Sequence, residues 1–148
     1  MFVNNYHHTL DSKWRLMLPS KFLPSLAAGA VITKGAGAGK RLLIFTKTEF
    51  EERTKKILAL PMMDREVQQL RRFWFASAVE VTPDAQGRIN IDENLRQHIE
   101  IDAGDKLALV GSYDYIEVFS ENEWAKQQAE LSAMMENDGY AVFSKYGI

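Results

Sequence analysis

At 148 residues, 46% of them hydrophobic and 26% charged, the chain has the composition of one folded domain with a real core. It contains no cysteine, which excludes a disulfide framework, a thiolate metal site and a cysteine nucleophile, and fits a reducing cytoplasmic setting. The net charge of −2 is a cancellation, because residues 1–72 hold 13 Lys and Arg against 6 Asp and Glu (+7) and residues 73–148 hold 5 against 14 (−9).

Met1 to Leu10 lacks the basic end and apolar run of a signal peptide. No window approaches the roughly 18 consecutive apolar residues of a membrane span, so neither export nor a membrane is expected. Asp11 then opens a turn, and Arg15-Leu16-Met17-Leu18 alternates polar with apolar as a half-buried strand does. Residues 19–26 read as a short helix burying Phe22 and Leu26 at i, i+4. Residues 30–33 and 42–45 are apolar strands joined through a glycine-rich turn, which makes a hairpin. Thr46-Lys47-Thr48-Glu49-Phe50 is a capping box that starts a helix. Pro61 separates it from a second helix over residues 64–76, with Val67, Leu70 and Trp74 on one stripe. The two should form a helical hairpin beside the β-core.

The pattern then repeats. Asp84 and Arg88 follow Asp11 and Arg15 at an offset of 73 residues, and Arg88-Ile89-Asn90-Ile91 has the same alternation. Residues 92–99 form a short helix with Leu95 and Ile99 inward, residues 107–110 and 116–119 form a hairpin, and Ser120-Glu121-Asn122-Glu123-Trp124 is a second capping box. A stop is expected at Asn137-Asp138-Gly139, followed by a tail whose Tyr140, Val142, Phe143 and Tyr146 suit docking on the body or on a neighbouring subunit. The expected organisation is one α+β domain, 1–148, built from repeat 1 (5–50), a helical segment (51–76), repeat 2 (77–124) and a C-terminal helix and tail (125–148). A unit of about 45 residues is marginal alone, so the two should share a core. The charge asymmetry suggests a polyanion-binding first half, a head-to-tail contact between the basic half of one copy and the acidic half of the next, or both.

Few residues ask for catalysis. The run Gly35-Ala36-Gly37-Ala38-Gly39-Lys40-Arg41 looks like a phosphate loop but has Lys34 at the first glycine position and Arg41 where a hydroxyl must reach magnesium. It is read as a flexible hairpin loop. His7, His8 and His98 lack the spacing of a metal set, since neighbours on a strand face opposite ways. No nucleophile elbow or helical zinc motif occurs, so no catalytic residue, metal or cofactor is expected. The repeated Asp-x-x-x-Arg turns stand out instead. An aspartate at a turn start accepts backbone amides and fixes the loop, presenting Arg15 or Arg88 from a rigid base. Lys13 and Lys21 make the first turn cationic, whereas Asp92 and Glu93 crowd the second.

Leu10-Asp11-Ser12-Lys13-Trp14-Arg15 with Leu16 to Pro19, then Asp84-Ala85-Gln86-Gly87-Arg88 and Leu95-Arg96-Gln97-His98, resemble the MraZ family over nearly the whole chain. The resemblance implies a duplicated AbrB-like swapped-hairpin β-barrel of two ββαββ units with flanking helices. It implies a nucleoid-associated transcriptional regulator that assembles into a homo-oligomeric ring and binds short direct repeats upstream of the division and cell-wall gene cluster. The candidate DNA contacts are Arg15, Lys13 and Lys21, then Arg88 and Gln86, on turns fixed by Asp11, Asp84 and Gly87. The family usually has glycine where Trp14 stands. Either this turn avoids positive φ or its geometry differs. The other readings are an AbrB-like interaction module or antitoxin-like regulator without its own operator, and an enzyme acting on a small molecule.

Overall fold

Alternation and capping set the local elements, and long-range pairing decides what they become. A computed structural model describes residues 1–37 and 39–148; Ala38 of the glycine-rich loop lies outside the described residues. In chain order the elements are β1 (Asn5–Thr9), β2 (Arg15–Met17), α1 (Leu23–Leu26), β3 (Ala30–Lys34), β4 (Leu42–Thr46), α2 (Lys47–Leu58) and α3 (Arg65–Ser77). There follow β5 (Val79–Val81), β6 (Arg88–Asn90), α4 (Glu93–Ile99), β7 (Lys106–Gly111), β8 (Ile116–Ser120) and α5 (Glu121–Lys145). No helix among the described residues is long and apolar enough to cross a membrane.

Six strands make one antiparallel sheet in the order β1-β7-β8-β4-β3-β5, and β2 and β6 make a separate two-stranded ribbon. Each repeat lends its first strand to the other: β1 pairs with β7, Tyr6 facing Leu109, while β5 pairs with β3, Val81 facing Ala30. The predicted hairpins β3/β4 and β7/β8 are present and meet through β4 and β8. Among the described residues no ladder closes the strands into a barrel. The architecture is α+β, an open antiparallel sheet with a short ribbon and several helices.

The core lies between sheet, ribbon and short helices. Leu16 and Ile89 enter it from the ribbon, Phe22, Leu26, Leu95 and Ile99 from α1, α4 and the turn before α1, and Ile32, Ile44, Leu107, Leu109, Ile116 and Val118 from the sheet. Each such side chain contributes about 1.5–3 kcal/mol relative to exposure, so both repeats depend on one shared interior. Phe22 also meets the rings of Phe2 and Tyr6 edge to face, each at 5.2 Å.

The caps form as their serine or threonine half. Thr46 Oγ1 accepts from the Glu49 amide at 3.1 Å and Ser120 Oγ from the Glu123 amide at 3.2 Å. The glutamates reach down their helices, Glu49 to Arg53 and Glu123 to Gln127. Helices α2 and α3 meet where Trp74 stacks on Phe50 at 5.3 Å and donates Nε1 to Thr54 Oγ1. Val67 and Trp74 are buried, but Leu70 is exposed. It lies at the margin of their stripe, some 40–60° around the helix, where nothing covers it.

Two expectations at helix ends are corrected. The first short helix is only α1, because Pro24 removes an amide and confines helical bonding to one turn. The stop at Asn137-Asp138-Gly139 does not occur: α5 runs through it to Lys145. An interior glycine costs a helix only ~1 kcal/mol, and Met135 Sδ packs against this one. The working stop is Gly147 at φ +71°, whose amide donates to Ser144 O while the Ile148 amide donates to Phe143 O. Those two bonds are a Schellman motif.

Candidate nucleic-acid interface

The ribbon brings together residues 73 apart in sequence. Arg15 faces Asn90, Leu16 faces Ile89 and Met17 faces Arg88. Since Leu16 and Ile89 point into the core and side chains alternate along a strand, Arg15, Met17, Arg88 and Asn90 share the outer face. Sequence reasoning did not single out Met17 or Asn90. The alternation was visible, but nothing local says that these two strands pair with each other.

Each arginine is held by the same four bonds. Asp11 Oδ1 accepts from the amides of Lys13 and Arg15, both at 2.9 Å, Asp11 Oδ2 accepts from Arg15 Nε at 2.8 Å, and the Asp11 amide donates to Arg15 O at 3.0 Å. In the second turn Asp84 Oδ1 accepts from the amides of Gln86 (3.0 Å) and Arg88 (2.9 Å), Oδ2 from Arg88 Nε at 2.9 Å, and the Asp84 amide donates to Arg88 O at 2.9 Å. The Arg15 amide, foremost, holds the Asp11 carboxyl below the ordinary carboxylate range, and the Arg88 amide does the same for Asp84. Stabilising the anion through donors is what lowers such a pKa. With Nε engaged, each guanidinium is aimed outward by its Nη end.

The tips differ. Arg88 Nη2 donates to Gln86 Oε1 at 3.1 Å. Lys13 occupies the equivalent position in the first turn and offers no acceptor, so among the described residues the Arg15 Nη groups have no protein partner. Lys13 and Lys21 are exposed, Lys21 in the segment between β2 and α1. Asp92 caps α4 through the Leu95 amide, and Glu93 accepts from Gln97.

Trp14 and Gly87 are equivalent, and both have positive φ, +57° and +79°. The turn geometry is therefore kept despite the indole. Repeat 2 supports it: Trp14 Nε1 donates to Asp102 Oδ1 at 3.0 Å and the Arg96 guanidinium lies 4.3 Å above its ring. That indole bond is also the main reason the Asp102 carboxyl sits below its usual range. Trp14 O accepts from the Ile91 amide, just as Gly87 O accepts from the Leu18 amide, both at 2.9 Å. At Gly87 a Cβ would come within 3.0 Å of Leu23 Cδ2, where the first turn has the flat face of Arg96. Asn90 Nδ2 adds a bond to Lys13 O at 3.0 Å.

The remaining candidates fall elsewhere. The glycine-rich loop joins β3 to β4, both strands, and Arg41 bonds it through Ala36 O and Gly39 O. His7 and His8 lie on β1 and His98 on α4; burial lowers the pKa of His8, as does His7 beside it, and burial foremost lowers that of His98. No group of three metal-ligating side chains is found among the described residues.

The family described as "MraZ protein, putative antitoxin-like" matches this chain twice, over residues 1–73 and 74–141. The transcriptional regulator MraZ of Roseiflexus sp. (strain RS-1) is 38% identical over 137 residues, covering 93% of this chain and 91% of that protein. Its namesake from Roseiflexus castenholzii is 37% identical over the same shares, and that from Desulforamulus reducens 32% identical over 92% of this chain and 93% of that protein.

Proposed function

The chain belongs to the MraZ family, and from that premise we propose that it is a sequence-specific DNA-binding transcriptional regulator that reads DNA with the outer face of the β2/β6 ribbon. The observation that carries this is the pair of arginines on one exposed face, each fixed at Nε by an aspartate of its own turn. A two-stranded ribbon fits the major groove, and an outward Nη pair matches guanine O6 and N7. Lys13 and Lys21 neutralise phosphates and set register. Arg88 and Gln86 contribute less, because they are bonded to each other.

One bidentate contact gives roughly 1–3 kcal/mol of discrimination, which is too little for a genome. Several copies on one duplex multiply it through effective concentration. The target is accordingly a set of short direct repeats, upstream of the division and cell-wall genes as the family resemblance implies, and the protein works at the nucleoid. The exchange of β1 and β5 between repeats supports a swapped-hairpin reading of the fold, with ribbon and sheet as two sides of an AbrB-like barrel. The +7 and −9 halves support a closed homo-oligomeric ring in which basic and acidic halves of successive copies meet. No cofactor or small-molecule substrate has a role in this reading.

The test is titration of a duplex carrying several direct repeats, and of a scrambled duplex, across a salt series. Phosphate neutralisation gives a log–log slope of about −0.9 per contact, with tighter binding to the repeats. The exposed apolar residues along α5 favour one alternative, a protein-interaction module. A shallow slope and no repeat preference would select it.

A further inference from the structure

The two repeats present the same helix seat, and only one is filled. In repeat 1, Phe45 before the Thr46 cap and Phe50 after it are covered by α3, with Trp74 at 5.5 Å and 5.3 Å from their rings. The equivalents in repeat 2 are Phe119 and Trp124 around the Ser120 cap, 5.4 Å apart. No helix follows α5 to cover them. A groove of about 350 Å³ lies there instead, bordered by Phe119, Trp124, Gln127 and Leu131, with the Arg41–Glu117 pair (2.7 Å) beside it. Trp124 Nε1 is buried with no hydrogen-bond acceptor among the described residues.

The distal half of α5 is the complementary feature. Beyond the sheet it exposes Leu131, Met134 and Met135, then Tyr140 (89%), Phe143 and Tyr146. Helices depend mainly on tertiary packing of an apolar face, and this stretch has almost none. Its own groove is out of reach, since Tyr140 lies 16 residues from Trp124 on an unbroken helix, about 24 Å away. Even a break at Asn137–Gly139 leaves nine residues, about 13 Å of helix, ending near position 130 and short of Trp124.

We infer that the C-terminal end of α5 from a second copy fills the empty seat, and that two copies exchange these ends reciprocally in an antiparallel α5 pair. Placing Phe143 against the partner's Trp124 brings Tyr140 to Gln127, leaves Leu131, Met134 and Met135 at the centre, and sets Lys145 beside Glu121 and Glu123. The apolar stripe and the opposite charges therefore fit in one register. This interface is distinct from the basic-to-acidic contact proposed above and stands on different residues.

The absence of native cysteine permits a direct test on the full chain. Gln127→Cys and Tyr140→Cys proteins are mixed and mildly oxidised, and the expected main product is an interchain 127–140 disulfide that neither variant forms alone. In parallel, Tyr140→Asp with Phe143→Asp, both on exposed helix surface, should lower the light-scattering mass about twofold without loss of helical signal. Absence of the mixed disulfide overturns the inference. So does an intrachain disulfide in the doubly substituted chain, which would mean that the end folds onto its own seat. A large assembly that persists without the 127–140 link refutes this contact and leaves the ring reading standing.

Discussion

In the first turn the residue two before the arginine is Lys13, and in the second it is Gln86. Around that difference the two turns are nearly bond-for-bond copies, each with an aspartate that accepts two amides and the arginine Nε. Gln86 closes over Arg88 Nη2, whereas Lys13 leaves Arg15 open and adds a charge. The first turn is also better anchored, with Trp14 clasped by Arg96 and Asp102 and Lys13 O held by Asn90. Duplication thus yields one shape twice, and a single side chain decides which copy keeps its guanidinium for a ligand.

Removing the arginines tests this asymmetry most severely. Arg15→Ala should abolish preference for repeat-containing DNA, at roughly 1–3 kcal/mol per engaged turn, while leaving the oligomer intact by light scattering; Arg88→Ala should retain most of that preference. Exchanging the tips comes next. Lys13→Gln is expected to draw Arg15 into a closed tip, weaken specific binding and flatten the salt slope by about 1 per engaged copy, and Gln86→Lys to strengthen binding through an opened Arg88. An anisotropy titration of both variants that moved the wrong way would end the tip argument.

The positive-φ position separates the turns by stability. Gly87→Ala should destabilise by about 1–2 kcal/mol, because the φ of +79° is strained for an L residue and Leu23 blocks the new Cβ. Trp14→Gly should change thermal stability by less than about 1 kcal/mol, as relief of the backbone offsets the lost indole contacts. The smallest effect is that of pH. The Asp11, Asp84 and Asp102 carboxyls all have lowered pKa values in the fold, so the unfolded chain binds their protons first. Their contribution is complete above the ordinary carboxylate range and falls away below about pH 4. Denaturant midpoints that already dropped between pH 7 and pH 5 would need another group.

Much of this was written locally in the sequence. The offset of 73 residues, the Thr46 and Ser120 caps, the hairpins and the inward Phe22, Leu26, Leu95 and Ile99 all follow from short-range pattern. Partner choice was not, because no local feature distinguishes pairing of β1 with β7 from pairing within its own repeat. For the same reason Met17 and Asn90 went unnoticed on the ribbon face. Trp14 at positive φ was illegible because its support comes from Arg96 and Asp102, more than 80 residues away. Asn137-Asp138-Gly139 misled because weak helix formers lower the odds of a helix without forbidding it, while Gly147 supplied the real terminator.

The central claim is that Arg15, more than Arg88, reads DNA. Its most direct test is paired titration of Arg15→Ala and Arg88→Ala against repeat-containing and scrambled duplexes at one salt concentration. The account predicts that the first substitution erases the difference between duplexes and the second largely preserves it. An unchanged preference in Arg15→Ala, or a greater loss in Arg88→Ala, would contradict it.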